Sequence, residues 1–121
     1  MKFITDEIKQ LMIANYKTSR EAIDKGETPP DHKPVVKFFF PDGSGTWLLT
    51  ELNPNDQNDA FGLCDLGVPE LGYIGLDALY SLSAEKLQYP GAGIERDLSF
   101  KADKTLSEYA KIAREHQRII A

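Results

Sequence analysis

Two hydrophobic periods alternate along this chain. Near the start, Ile8, Leu11, Met12, Ile13, Tyr16 and Ile23 recur at helical spacing. Thr5 suits an N-cap, Asp6 and Glu7 suit the positive end of a helix, and Gly26 supplies a stop. The pattern predicts a helix over 6–24. A loop follows through Gly26, Pro29 and Pro30. The period then shortens. Residues 34–40 (Pro34-Val35-Val36-Lys37-Phe38-Phe39-Phe40) are β-branched and aromatic, and Pro41-Asp42-Gly43-Ser44-Gly45 is turn chemistry. Thr46-Trp47-Leu48-Leu49-Thr50-Glu51-Leu52 is the return strand of this hairpin.

The polar stretch 53–59 is expected as a loop, with strands over 60–66, 70–74 and 94–100. Leu76, Leu79, Tyr80 and Leu82 predict a short helix near 76–81, and Ser83–Leu87 either extends it or forms a second turn. Residues 90–93 are expected as a loop. Leu106, Tyr109, Ala110, Ile112 and Ala113 mark a last helix over 105–117. The expected fold is α+β in a single domain: an antiparallel four- to five-stranded meander sheet with N- and C-terminal main helices and the short helix. The helices are expected on one face of the sheet.

Side-chain faces depend on register. A five-residue loop at 41–45 would pair Phe40 with Thr46, Phe38 with Leu48 and Val36 with Thr50. The helices would then cover Phe38, Phe40, Leu48, Gly62 and Cys64, with Leu98 and Phe100 from the last strand. The opposite face would carry Trp47, Leu49, Phe61 and Leu63, with Lys37, Glu51, Asp65, Glu95 and Asp97 among them. Such a mixed apolar and acidic face is a candidate binding surface. Glu70 and Tyr73 in the fourth strand extend the candidate set.

Charge sharpens this expectation. The chain has 121 residues and a formal charge of −5. Residues 1–37 and 85–121 each hold seven basic and six acidic groups, whereas residues 38–84 hold seven acids and no Lys or Arg. The middle third therefore carries the negative excess, which argues against nucleic-acid binding there and favours a protein partner with a basic surface. The longest unbroken run of bulky apolar residues, Phe38-Phe39-Phe40, is far too short for a membrane helix, so no membrane partner is expected. The start of the chain lacks an apolar leader, and a single cysteine excludes an internal disulfide; both point to the cytoplasm.

Other chemistry finds little support. Asn53, Asn55, Gln57 and Asp59 alternate oxygen ligands but lack the glycine and glutamate of a calcium loop. Gly43-Ser44-Gly45 and Gly91-Ala92-Gly93 precede no phosphate-binding Lys-Ser/Thr. Cys64 reads as a small buried residue, and His32 and His116 suggest no Ser/His/Asp set. No cofactor and no metal site are expected. The rival reading is a metal-dependent hydrolase or nuclease, in which Glu51, Asp65 and Asp97, with Glu95, would converge.

Four separated segments carry a resemblance: Thr46–Leu52, Ala60–Gly67 (Ala60-Phe61-Gly62-Leu63-Cys64-Asp65-Leu66-Gly67), Pro69–Tyr73 and Glu95–Phe100. Together they resemble a small bacterial family of unknown function, whose members are carried on plasmids and other conjugative or integrative elements. The resemblance implies a setting, a cytoplasmic accessory protein of mobile DNA, and no mechanism. In that setting the leading expectation is a non-enzymatic interaction protein whose partner meets the acidic middle segment and Trp47. Antirestriction by mimicry of DNA charge is one version of it.

Overall fold

The computed structural model describes residues 2–88 and 91–121. Pro90, in the expected 90–93 loop, lies outside them. The chain runs α1 (Asp6–Asp24), β1 (Val36–Phe39), β2 (Thr46–Asn53), β3 (Asp56–Asp65), β4 (Pro69–Gly75), α2 (Leu76–Ser81), α3 (Ala84–Leu87), β5 (Glu95–Arg96) and α4 (Leu106–His116). The five strands form one antiparallel sheet in the order β4-β3-β2-β1-β5, so β1 to β4 are a meander and β5 returns to its far edge. This is the α+β architecture expected.

Local chemistry sets the element ends. The Ile8 amide donates to the Thr5 hydroxyl at the start of α1. Thr105 and Glu108 form a reciprocal capping box on α4. Ser83 caps α3, making 84–87 a separate turn rather than an extension of α2. The polar 53–59 stretch is not a loop. Pro54 and Asn55 alone make the turn, Asn53 pairs with Asp56, and β3 begins there. Asn53 accepts from the Asn55 amide, so the side chain closes the turn and frees the residues beyond it to pair. The last strand is shorter than expected. It holds two residues, and Leu98 turns outward because the Asp97 carboxylate accepts from the Ser99 amide and bends the chain.

The first hairpin differs from expectation by one residue. Phe38 pairs with Trp47 and Val36 with Leu49. Gly43 adopts a φ of +82°, and Asp42 accepts from the Ser44 amide, so the loop closes in four residues. Gly45 then joins the pairing, its carbonyl accepting from the Phe40 amide. A side chain at 45 would collide with Leu66 and Trp47. Because side chains alternate, this single slip moves Trp47 and Leu49 to the side of Phe38 and Val36, and puts Leu48 with Lys37 on the other.

Neither side is left bare, contrary to the expectation of helices on one face. α1 packs Met12 and Ile13 against Val36, Phe38, Trp47, Leu49 and Leu52. On the opposite face, α4 packs Leu106, Tyr109, Ala110 and Ala113 against Leu48 and Leu63. Leu48 and Leu49 are both fully buried although they point in opposite directions. Burial of each contributes about 1.5–3 kcal/mol. Leu11, expected in the apolar stripe of α1, faces solvent instead.

Candidate functional site

The expected acidic face is not assembled. Trp47 is only 4 % exposed and tilts against Phe40 inside the core, so it belongs to packing rather than to a binding surface. The charged residues of that face separate into three places. Lys37 and Asp97 meet at 3.4 Å beside β5, and Lys37 also donates to the Ala121 carbonyl. Glu95 pairs across from Phe39 on the same edge. Asp65 accepts from the amides of Gly67 and Ile119, holding the β3–β4 turn and the segment after α4. Glu51 lies at the far end of β2. Glu51, Asp65 and Asp97 are thus each engaged by different groups. No group of three or more metal-binding side chains occurs among the described residues. The convergence that a metal-dependent hydrolase requires is not present in these carboxylates.

A cluster unforeseen in the sequence forms around Glu51. Ser19 of α1 donates to the Glu51 carboxylate at 2.9 Å and stands 2.9 Å from His32 Nε2. The single serine proton is committed to Glu51, which leaves His32 as the donor to the serine oxygen. A nucleophilic serine needs the reverse, its proton directed at the base. Ser19 is also 3 % exposed. The trio is therefore a part-buried latch joining α1, the 25–35 loop and β2. Nothing in the linear spacing announces it, because its members lie on three separate elements. The same loop is tied to α4, where Asp31 accepts from Ser107 and the His32 carbonyl accepts from the Leu106 amide.

Cys64 stands across from Trp47 and beside Glu70 in the sheet. Burial pushes its thiol up; repulsion from Asp65 and Glu70 adds to this, against an opposing hydrogen bond with Trp47. A raised thiol is poorly nucleophilic at neutral pH, in line with a packing role.

Glu70 and Tyr73 mark the surface that does stand open. Both lie on β4, an outer strand whose far side has no neighbour in the sheet. Tyr73 is 78 % exposed and meets Phe61 edge to face at 5.3 Å. Leu71, Val68 and Leu66 are exposed along the same strand and its preceding turn. Glu70 is the only charged residue of β4. Beside Tyr73, a cleft of about 60 Å³ runs between the C-terminal half of α1 and the ends of β2 and β3. Tyr16, Arg20, Glu51, Asp59, Phe61 and Tyr73 contribute to its walls.

No helix among the described residues is long and apolar enough to cross a membrane. No curated protein and no solved structure matches the chain. The family model described as "Protein of unknown function (DUF2958)" matches residues 3–120, and the chain belongs to that family.

Proposed function

We propose that this protein is a non-enzymatic interaction module that binds an extended segment of a basic protein along β4. The observation that carries this reading is the open β4 edge, seven residues long and flanked by exposed apolar side chains. Edge strands of soluble proteins are usually blunted by lysine, by a central proline or by a bulge. β4 has no lysine, its proline is its first residue, and its pairing with β3 is unbroken from Pro69 to Gly75. An added strand would satisfy its free backbone groups and cover Leu71 and Tyr73. Charge selects the partner. Glu70 lies on this edge, Asp59 and Asp65 pair with its two end residues, and Asp77 follows it in α2. These acids outnumber the basic residues beside the strand, Arg20 and Arg114, so a basic segment is steered to it. The setting we propose is the cytoplasm of a bacterium carrying a mobile element.

The test is affinity capture from such cells with three baits. The unaltered chain should retain a basic protein. The double variant Glu70→Lys/Leu71→Lys should lose it, because it puts charge on the edge and reverses the local sign. Asp103→Lys, on the opposite side of the molecule, should keep it. Equal capture by all three baits would rule out β4 as the binding edge.

A further inference from the structure

We infer that the cleft beside Tyr73 receives an arginine side chain from the strand that docks on β4. The inference rests on the proposed strand docking and names the side chain that it recognises. Three features converge there. The first is chemistry: Glu51 and Asp59 supply carboxylates, and Tyr16, Phe61 and Tyr73 supply aromatic rings. Carboxylate with ring face is the combination that suits a guanidinium, which takes hydrogen bonds in its plane and stacking above it. The second is size. About 60 Å³ is about two waters' share of liquid volume, room for one compact planar group. The third is position. Directly paired residues of neighbouring strands put their side chains on the same side of a sheet. The residue opposite Tyr73 on an added strand therefore projects on the Tyr73 side of the sheet, next to that ring and one strand outside Phe61, so only a side chain as long as that of arginine reaches over Tyr73 toward the cleft. Two residues along, the position opposite Leu71 favours an apolar side chain.

Capacity for hydrogen bonding remains at the carboxylates. Ser19 occupies one oxygen of Glu51 and Asn53 one oxygen of Asp59. Arg20 also lines the cleft, yet among the described residues it forms no ion pair with either acid; Glu51 has His32 Nε2 at 3.9 Å, whereas Asp59 has no ion-pair partner among them. The positive charge of Arg20 should weaken a cationic ligand, and Arg20→Ala should tighten binding.

The experiment uses two synthetic eight-residue strands of alternating Thr and Val. One carries a single central arginine, and its twin carries citrulline, which has the same shape without the charge. Amide hydrogen exchange on β4 reports docking, and isothermal titration reports affinity. A parallel NMR titration with methylguanidinium alone reports the cleft. The arginine strand should bind about tenfold more tightly than its twin, both should protect β4 amides, and methylguanidinium should shift Asp59 and Tyr73 saturably. Glu51→Gln with Asp59→Asn keeps the acceptors for Ser19 and Asn53 while removing charge, and should abolish both the tenfold preference and the methylguanidinium shifts. Equal affinity of the twins with β4 protected, and no methylguanidinium shift, would overturn the arginine cleft and leave strand docking standing. Methylguanidinium shifts without β4 protection by either strand would overturn strand docking and keep a guanidinium site.

Discussion

The two edges of the sheet are finished in opposite ways. At one edge β5 is two residues long, and side chains of β5 and β1 tie it to backbone at both ends of the chain. The Arg96 guanidinium donates to the Lys2 carbonyl, and Lys37 reaches Asp97 and the Ala121 carbonyl. At the other edge β4 presents seven residues with an exposed tyrosine, an exposed leucine and one carboxylate. A fold that can shorten and tie down one edge has the means to protect the other. The contrast is what supports the proposal that β4 takes up a partner strand.

Substitutions at matched positions can break this contrast. The largest difference is expected between Phe38, in the strand that pairs with β5, and Leu71 on β4. Phe38 is fully buried and stacks on Phe3 at 4.4 Å. Phe38→Ala should cost about 3–5 kcal/mol in urea unfolding, from lost transfer energy plus a cavity. Leu71→Ala should cost under about 1 kcal/mol. A loss at Leu71 comparable to that at Phe38 would mean that β4 is held as firmly as the closed edge.

Two glycines that face each other across β3 and β4 give a finer comparison. A Cβ at Gly62 would lie 2.1 Å from the Leu48 carbonyl oxygen, whereas one at Gly72 meets nothing within 4 Å. Gly62→Ala should lower stability by about 2–3 kcal/mol through forced movement of β2. Gly72→Ala should change it by less than about 0.5 kcal/mol. Thermal melts of the two variants measure this gap between the sheet interior and its open margin.

The smallest effect belongs to neither edge and calibrates the others. Desolvation raises the Asp31 carboxyl, but hydrogen bonds from Ser107 and Thr105 and the charge of His32 outweigh it, and the group sits below its ordinary value. A carboxylate with a lowered value in the folded protein stabilises it above the unfolded value and loses that contribution as pH falls through the folded one. Stability should therefore decline below the ordinary Asp value of 3.8. Asp31→Asn should flatten that acid limb slightly while leaving the pH 7 to pH 5 range parallel to the original. A steeper acid limb in the variant would reverse the assigned sign.

Most elements were legible in the residues because their signals are local. Thr5 and Gly26 bracket α1, and Leu76–Ser81 forms the short helix at the positions its spacing predicts. The side-chain faces were not legible, because they depend on whether the 40–46 turn counts four or five loop residues. Gly43 and Asp42 decide that through a positive φ and a side-chain hydrogen bond, and spacing alone does not distinguish the two lengths. One signal did favour burial on both sides. Phe38-Phe39-Phe40 and Trp47-Leu48-Leu49 are continuous apolar runs, the pattern of strands covered from above and below rather than of strands with a wet face. Of the candidate residues, Glu70 and Tyr73 fall on the open edge and Glu51 lines the cleft, whereas Trp47 lies in the core. The Ser19–His32–Glu51 trio depends on three elements meeting and leaves no trace in linear order.

The placement of Leu48 and Leu49 has a consequence for how the molecule comes apart. One peptide bond separates a side chain buried under α4 from one buried under α1. A segment of backbone that short cannot loosen on one side and hold its geometry on the other. The two cores are thereby a single cooperative unit: α1 and α4, far apart in sequence and on opposite sides of the sheet, should melt at one temperature. The amides of β2 should exchange with solvent only through global opening, while those on the outer side of β4 exchange long before it.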